Sequence, residues 1–289
     1  MRTADNVPMP IRATELPGGD RIPVLGQGTW RMGEDPSKRR SEVNALRAGF
    51  DLGLTLVDTA EMYADGGAEQ VVAEAVRGRR DDIFIVSKFY PQNASRQKMR
   101  RACERSLERL DVERIDLYLL HWRGSVPLRE TLDGLSELRR EGKIRHGGVS
   151  NFDAADSAEL ARLEGWELVV ANEVLYNLEK RGPELDLIPW WRRRHRPVIA
   201  YSPVEDGLLT TRRHHALAEV ARRHDATPAQ VALAWTIRGP GVVAIPKAAN
   251  AAHVRENAGA LHLTLTKRDQ EELDASFAAP TEPVPLETR

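Results

Sequence analysis

The sequence has 289 residues, of which 41% are hydrophobic and 29% are charged, a composition typical of a globular protein with a buried core. The formal net charge of −1 lacks the basic excess of a non-specific nucleic-acid-binding protein. Cys103 is the only cysteine, which excludes an internal disulfide and favours a reducing compartment. We find no signal peptide and no apolar run of about 18 residues or more, so we expect a cytoplasmic protein that binds neither nucleic acid nor membranes.

Short apolar runs rich in β-branched residues recur along the chain and predict buried strands. In chain order they are residues 24–29, 55–59, 82–88, 116–122, 146–151, 168–174, 197–203 and 242–247. Most intervals contain a segment with helical periodicity, most clearly at 95–110, 128–140 and 228–237. Residues 16–22 have the turn chemistry of a β-hairpin, and the proline-rich tail after Ala278 predicts an irregular extension.

Eight strands alternating with about eight helices predict an α/β fold, a single (β/α)8 TIM barrel over residues 1–289 with an N-terminal β-hairpin cap. A doubly wound open sheet is the alternative. That fold usually carries G-x-G-x-x-G after its first strand. Residues 26–31 read GQGTWR, with arginine in place of the third glycine, so the fingerprint fails.

Titratable side chains follow three consecutive strands of the predicted barrel. Asp58, Lys88 and His121 lie where the second, third and fourth predicted strands end, and Tyr63 lies in the loop after the second. Because the carboxyl ends of the strands form the active face of a barrel, these four residues should meet at one mouth. Any one of them could be a solvated boundary residue, and an Asp–Lys pair can be structural. A structural role of the Asp–Lys pair would not explain why a tyrosine and a histidine accompany it.

The four residue types suit the reduction of a carbonyl group, which needs a hydride on carbon and a proton on oxygen. We expect the ammonium of Lys88 to lower the pKa of Tyr63, which then gives the proton. Asp58 would keep Lys88 charged and fixed, and His121 would orient the carbonyl oxygen. Trp122 and Trp30 would supply apolar walls for a small organic substrate.

Six motifs occur in order along the chain: VDTAEMY at 57–63, SK at 87–88, LHW at 120–122, GVSNF at 148–152, AYSP at 200–203, and IPKA at 245–248 with EN at 256–257. Together they resemble the aldo-keto reductase superfamily from about Gly26 to Asn257. The resemblance implies a (β/α)8 barrel that binds NADPH, or less often NADH, without a Rossmann domain and without a metal. The short loop at 204–208 resembles that of bacterial members.

The resemblance also implies a role for each matching residue. Tyr63 is the general acid, Asp58 and Lys88 tune it, and His121 positions the carbonyl. The substrate contacts are Trp30, Tyr63, His121 and Trp122. The residues implied to hold the cofactor are Thr29, Trp30, Asp58, Ser150, Asn151, Glu173, Tyr201, Ser202, Pro203, Val204, Leu208, Lys247, Ala248, His253, Glu256 and Asn257.

Three positions in the cofactor site depart from the family pattern. Glu173 replaces a glutamine, and a carboxylate can accept a hydrogen bond but cannot donate one, so we expect Asn172 or a water to help hold the nicotinamide. Ala248 and His253 replace a serine and an arginine that often contact the 2′-phosphate. Of the residues implied to bind the 2′-phosphate, Lys247 alone remains, and Arg255 is a candidate substitute for the missing arginine. We therefore expect a weaker preference for NADP over NAD.

The predicted function is NADPH-dependent reduction of aldehydes or ketones by a monomeric protein. One alternative is a weakly catalytic, cofactor-sensing subunit on the same fold, which would need a large exposed apolar docking surface. A phosphate-handling barrel isomerase or aldolase is disfavoured, because no glycine-rich phosphate loop follows the seventh strand. Lys88 is also paired with a carboxylate, whereas Schiff-base chemistry favours an apolar setting.

Overall fold

The computed structural model describes residues 12–211 and 214–289, and eight parallel strands form one continuous sheet in it. An antiparallel hairpin of β1 (Ala13–Glu15) and β2 (Arg21–Pro23) precedes this sheet, as predicted. The eight strands follow in chain order: β3 (Gln27–Gly28), β4 (Leu56–Asp58), β5 (Phe84–Phe89), β6 (Ile115–Leu120), β7 (Ile144–Ser150), β8 (Val169–Leu175), β9 (Val198–Tyr201) and β10 (Val242–Ala244).

The first and last strands of this sheet meet and close it. Leu25 forms a parallel bridge with Ala244, and Gly28 forms one with Lys247. The amide of Gly28 donates to the carbonyl of Pro246 at 3.0 Å. A Cβ on Gly28 would lie 2.7 Å from the carbonyl oxygen of Ile245, so only glycine allows this close approach. The closed eight-stranded sheet confirms the predicted (β/α)8 barrel.

Helices cover the outside of the barrel. In the described part of the chain they are α1 (Arg39–Asp51), α2 (Gly67–Val76), α3 (Arg96–Leu110), α4 (Leu128–Arg140), α5 (Ala154–Leu160), α6 (Leu187–Arg192), α7 (Leu208–Thr211), α8 (His215–Arg223), α9 (Pro228–Thr236), α10 (Ala251–Gly259) and α11 (Lys267–Ser276). Helices α3, α4 and α9 lie within one residue of their predicted bounds. Thr227 caps α9 in a reciprocal capping box with Gln230, as the Thr-Pro pair predicts.

Two apolar cores hold the barrel together. The larger core lies between the strands and the surrounding helices and includes Trp191 and Trp235. The smaller one, called the inner core below, consists of Leu16, Ile22, Leu56, Val86, Leu117, Leu119, Val170, Ala171, Ile199, Val243 and Ile245. Because Leu16 directly follows β1 and Ile22 is the middle residue of β2, the hairpin closes the inner core at the bottom of the barrel.

Among residues 12–211 and 214–289, no helix has the length and apolarity needed to cross a membrane. The same residues contain no cluster of histidine, cysteine and acidic side chains that could hold a metal ion. The single-domain organisation of residues 1–289 stays a prediction.

Candidate active site

Five polar side chains form the layer directly above the inner core. Each lies two residues after an apolar member of that core, and alternate residues of a strand share one face. The apolar members are Leu56, Val86, Leu119, Ala171 and Ile199. The polar residues that follow them are Asp58, Lys88, His121, Glu173 and Tyr201. The barrel therefore brings together residues from five strands at its carboxyl end.

Lys88 is the centre of this layer and is wholly buried. Its Nζ donates to Asp58 Oδ1 at 2.6 Å, to the carbonyl oxygen of Thr59 at 3.1 Å and to the Tyr63 hydroxyl at 3.3 Å. Glu173 Oε1 lies 3.3 Å from the same Nζ, so two carboxyl groups face one ammonium group. The predicted Asp58–Lys88–Tyr63 arrangement is thus present, and Glu173 is an additional member of it.

The pKa of Tyr63 differs in direction from our sequence-based expectation. Burial raises it above its usual value, and the carboxylates of Asp58 and Glu173 raise it further. The ammonium of Lys88 lowers it, as expected, but does not overcome burial. In this structure Tyr63 is therefore a neutral phenol that keeps its proton until a reacting oxygen takes it.

His121 is a neutral imidazole beside Tyr63. The two rings meet edge to face, with their centroids 5.9 Å apart. Burial lowers the pKa of His121 to about 3, and the positive charge of Lys88 contributes to this shift. Its Nδ1 is enclosed and has no hydrogen-bond partner among the described residues. A neutral imidazole can orient a carbonyl oxygen as a hydrogen-bond donor without adding a charge.

We expect the His121 ring to remain uncharged between about pH 5 and 8, whereas an unperturbed histidine has a pKa of about 6.5. Because its folded pKa is depressed, its contribution to stability is present above about pH 6.5 and is lost as the pH falls toward about 3. Two-dimensional NMR of the histidine rings, assigned with a His121→Gln variant, measures this directly. Titration of the His121 signals near pH 6.5 would contradict it.

A cavity of about 700 Å³ opens above the catalytic layer, within the range typical of ligand sites. Most of the predicted site residues line it: Trp30, Asp58, Tyr63, His121, Trp122, Ser150, Asn151, Glu173, Tyr201, Ser202, Pro203, Val204, Lys247, Ala248, His253, Glu256 and Asn257. Lys88 lies buried beneath its floor. Trp30 and Trp122 are 37% and 38% exposed, so both present apolar faces to an incoming molecule.

Two predicted cofactor residues do not line this cavity. Thr29 is buried, and its hydroxyl donates to the backbone carbonyl of Asp58 at 2.8 Å, so it supports the catalytic layer from outside. Leu208 begins α7, is 38% exposed and is not among the residues that line the cavity. Asn172 and Arg255, which we expected to replace missing cofactor contacts, also lie outside the lining. The Asn172 amide instead donates to the carbonyl of Phe152 at 2.8 Å.

The cavity has one end suited to a carboxamide and another suited to a nucleotide. At the first end, Asn151 receives a hydrogen bond from the Tyr201 hydroxyl at 3.0 Å, and Ser150 donates to the backbone of Glu173. Glu173 Oε2 is buried there without a hydrogen-bond partner in the described chain. Exposed Lys247 and the start of α10 form the other end. The residues present therefore fit the nicotinamide cofactor that the motifs imply.

Sequence reasoning missed several residues of the lining. Arg289 reaches the cavity from the irregular tail and forms ion pairs with Glu205 and Asp206. Arg31 follows Trp30, and its guanidinium stacks on the Trp30 ring with 4.5 Å to the centroid. Arg31 could have been found, because it directly follows a residue already assigned to the mouth. No periodicity indicates where an irregular tail returns to the barrel.

Comparison with known proteins identifies the family. The model of the "Aldo/keto reductase family" matches residues 24–277. Methylglyoxal reductase YeaE from Escherichia coli (strain K12) is 50% identical in an alignment of 278 residues, and the match covers 94% of this chain and 97% of that protein.

Solved structures agree with this sequence relationship. An aldo/keto reductase from Klebsiella pneumoniae, crystallised in complex with NADP and acetate, superposes with a TM-score of 0.94 and 45% identity. The match covers 97% of this chain and 100% of that one. A Klebsiella pneumoniae aldo-keto reductase in complex with NADPH gives the same TM-score, identity and coverage. The chain described here therefore belongs to the aldo/keto reductase family.

Proposed function

We propose that this chain reduces small aldehydes and 2-oxoaldehydes of the methylglyoxal type to alcohols with NADPH. The observation that carries the proposal is the hydrogen bond between Lys88 Nζ and the Tyr63 hydroxyl on the floor of the cavity, beside neutral His121. The 50% identity to a methylglyoxal reductase supports the choice of substrate class. We further propose that the enzyme acts as a monomer in the cytoplasm.

The residues of the site divide the chemistry among them. Bound NADPH supplies the hydride that reduces the carbonyl carbon. Tyr63 gives its phenolic proton to the carbonyl oxygen, and the nearby Lys88 ammonium stabilises the phenolate that remains. His121 orients the carbonyl oxygen toward Tyr63. Trp30 and Trp122 exclude water from the reacting atoms, since their faces line the cavity.

The protonated state of Tyr63 suits reduction better than the reverse reaction. Because burial raises its pKa, the phenol is protonated at neutral pH, so the proton that reduction needs is in place. Oxidation of an alcohol would need tyrosinate as the base. We therefore propose that reduction dominates at neutral pH.

The test is to follow NADPH consumption by absorbance with methylglyoxal, an aromatic aldehyde and an aldose, using NADH as the comparison cofactor. We expect turnover with methylglyoxal at rates ordinary for enzymes, on the order of 1 s⁻¹ or faster. NADPH binding without turnover of any carbonyl would instead favour the cofactor-sensing subunit. Absence of NADPH binding would contradict both functions.

We expect Lys247→Ala to weaken NADPH far more than NADH. Lys247 is exposed at the nucleotide end of the cavity, where its ammonium can meet the 2′-phosphate that only NADPH carries. Loss of one charge-assisted contact predicts about a tenfold rise in the KM for NADPH. Arg255→Ala is the matched control, since Arg255 is also exposed on α10 but does not line the cavity. Equal effects on both cofactors would argue against this role of Lys247.

A further inference from the structure

The irregular tail, residues 278–289, runs back along the barrel to the cavity. Leu286 packs against the larger core, and Glu287 forms an ion pair with Lys180 in the segment after β8. Arg289 lines the cavity itself. The tail is thus anchored before it reaches the cavity, and it brings a guanidinium group to the cavity wall.

The loop after β9, residues 202–207, carries two adjacent carboxylates that this guanidinium meets. Asp206 lines the cavity with a side chain that is 37% exposed, whereas Glu205 is buried behind it. Glu205 Oε2 accepts a hydrogen bond from Asn177 Nδ2 at 2.6 Å, but an amide donor brings no positive charge. Arg289 pairs through Nη2 with Glu205 and through Nη1 with Asp206. A planar guanidinium suits such a two-pronged contact.

The loop has a backbone that needs such support. Ser202, Glu205 and Asp206 have φ angles of 48°, 49° and 52°, in the left-handed region that residues other than glycine disfavour. Ser202 Oγ donates to Asp206 Oδ1 at 3.1 Å. The two ion pairs of Arg289 fix the other left-handed residue, Glu205, together with Asp206. Arg289 therefore holds the loop in this conformation as well as balancing its charge.

The charge of the loop matters because the proposed cofactor is an anion. NADPH carries phosphate groups between its two nucleosides and on one ribose. Two unpaired carboxylates at the wall of a cavity would repel these groups, and repulsion is stronger there than in bulk water. Glu205 and Asp206 alone would contribute two negative charges, and pairing with Arg289 leaves one.

We propose that Arg289 is a cofactor-positioning residue that acts through Glu205 and Asp206, compensating their charge and holding their loop so that the cavity accepts the phosphates of a dinucleotide. This inference rests on the proposed function, because it requires a dinucleotide in the cavity. The opposite role, a tail that plugs the cavity until the cofactor displaces it, predicts tighter NADPH binding when Arg289 is removed.

The Kd for NADPH tests the proposal. Quenching of tryptophan fluorescence gives Kd without turnover, since Trp30 and Trp122 line the cavity. We expect Arg289→Met to raise Kd about tenfold and the charge-preserving Arg289→Lys to keep it within about threefold of the wild type. Glu287→Gln, which removes the other ion pair of the tail, is the control for a loosened tail and should also stay within about threefold. An unchanged or lower Kd in Arg289→Met would overturn the proposal.

A mutant cycle and a salt series separate charge compensation from general damage to the fold. With Glu205→Gln and Asp206→Asn already in place, adding Arg289→Met should change Kd by less than about threefold, because no carboxylate is left to compensate. In the otherwise wild-type chain, the effect of Arg289→Met should shrink as salt is raised toward about 1 M, where charges are screened within about 3 Å. An effect of the same size in both backgrounds, or at all salt concentrations, would overturn the proposal.

Hydrogen exchange in the cofactor-free protein reports on the loop without any ligand. We expect the amides of residues 202–207 to exchange faster in Arg289→Met than in the wild type, and as in the wild type in Glu287→Gln. Unchanged exchange in Arg289→Met would show that the ion pairs do not hold the loop and would overturn that part of the proposal.

These measurements distinguish failure of the inference from failure of the proposed function. If NADPH does not bind the wild type, the proposed function fails, and hydrogen exchange still shows whether Arg289 holds the loop. If NADPH binds and carbonyls are reduced while Arg289→Met binds NADPH as the wild type does, the inference alone fails.

Discussion

Replacing Tyr63 with phenylalanine is expected to lower kcat by at least about 100-fold while leaving the Kd for NADPH within about threefold. The hydroxyl 3.3 Å from Lys88 Nζ is the proton donor in the proposed reaction, and one general-acid step is worth about this much. The ring itself remains, so the edge-to-face contact with His121 is kept. Steady-state kinetics with methylglyoxal and fluorescence titration with NADPH measure the two quantities.

Tyr90→Phe is the matched control for the loss of a phenolic hydroxyl. Tyr90 packs edge to face on Trp122, with 5.9 Å between ring centroids, but does not line the cavity. We expect its removal to leave kcat within about twofold, because no proton transfer depends on it. Near-normal turnover in Tyr63→Phe would exclude Tyr63 as the general acid.

Replacing Lys88 with methionine is expected to lower the free energy of unfolding by about 3–5 kcal/mol, because it leaves the Asp58 carboxylate buried without its cation. The burial of Lys88 favours its neutral form, but the carboxylates of Asp58 and Glu173 raise its pKa above the usual value. The stability that follows is present below about pH 10 and is lost only as the pH rises through the raised pKa. Urea unfolding at pH 7 measures the change.

Lys247→Met controls for the substitution itself, since exposed Lys247 has no ion pair among the described residues. We expect this variant to unfold within about 0.5 kcal/mol of the wild type. A loss of less than about 1 kcal/mol in Lys88→Met would show that the two carboxyl groups are already neutral together. That outcome would also contradict an ionised Asp58.

The barrel, the family, the reductase chemistry and the nicotinamide cofactor were all predictable from the sequence and are confirmed by the structure, the family match and the NADP complexes of similar chains. These features were predictable because each depends on residues that lie close together in the sequence. A buried parallel strand shows as a short apolar run, and the residue that ends it lies at the active face. Asp58, Lys88 and His121 each follow this rule. The placement in the cytoplasm, the monomeric state and the roles of the individual site residues remain predictions.

What escaped prediction depends on contacts between distant strands. Glu173 was placed in the cofactor site by the family pattern, but its own strand does not reveal that its carboxyl group also lies 3.3 Å from Lys88 Nζ. Thr29 was assigned to the cofactor, but β3 has only two residues, and its hydroxyl binds the backbone of Asp58. The raised pKa of Tyr63 likewise follows from burial, which no motif reports.

The inner core also determines how the enzyme recovers its proton. Leu16 and Ile22 fill the barrel below the catalytic layer, and every other member of that core is apolar. No chain of polar side chains within the inner core can carry a proton up from the bottom solvent. After each turnover, we therefore expect the phenolate of Tyr63 to be reprotonated from the cavity, which Trp30 and Trp122 line, once the product leaves. Product departure and proton resupply then share one route, so a product that lingers at the mouth delays both.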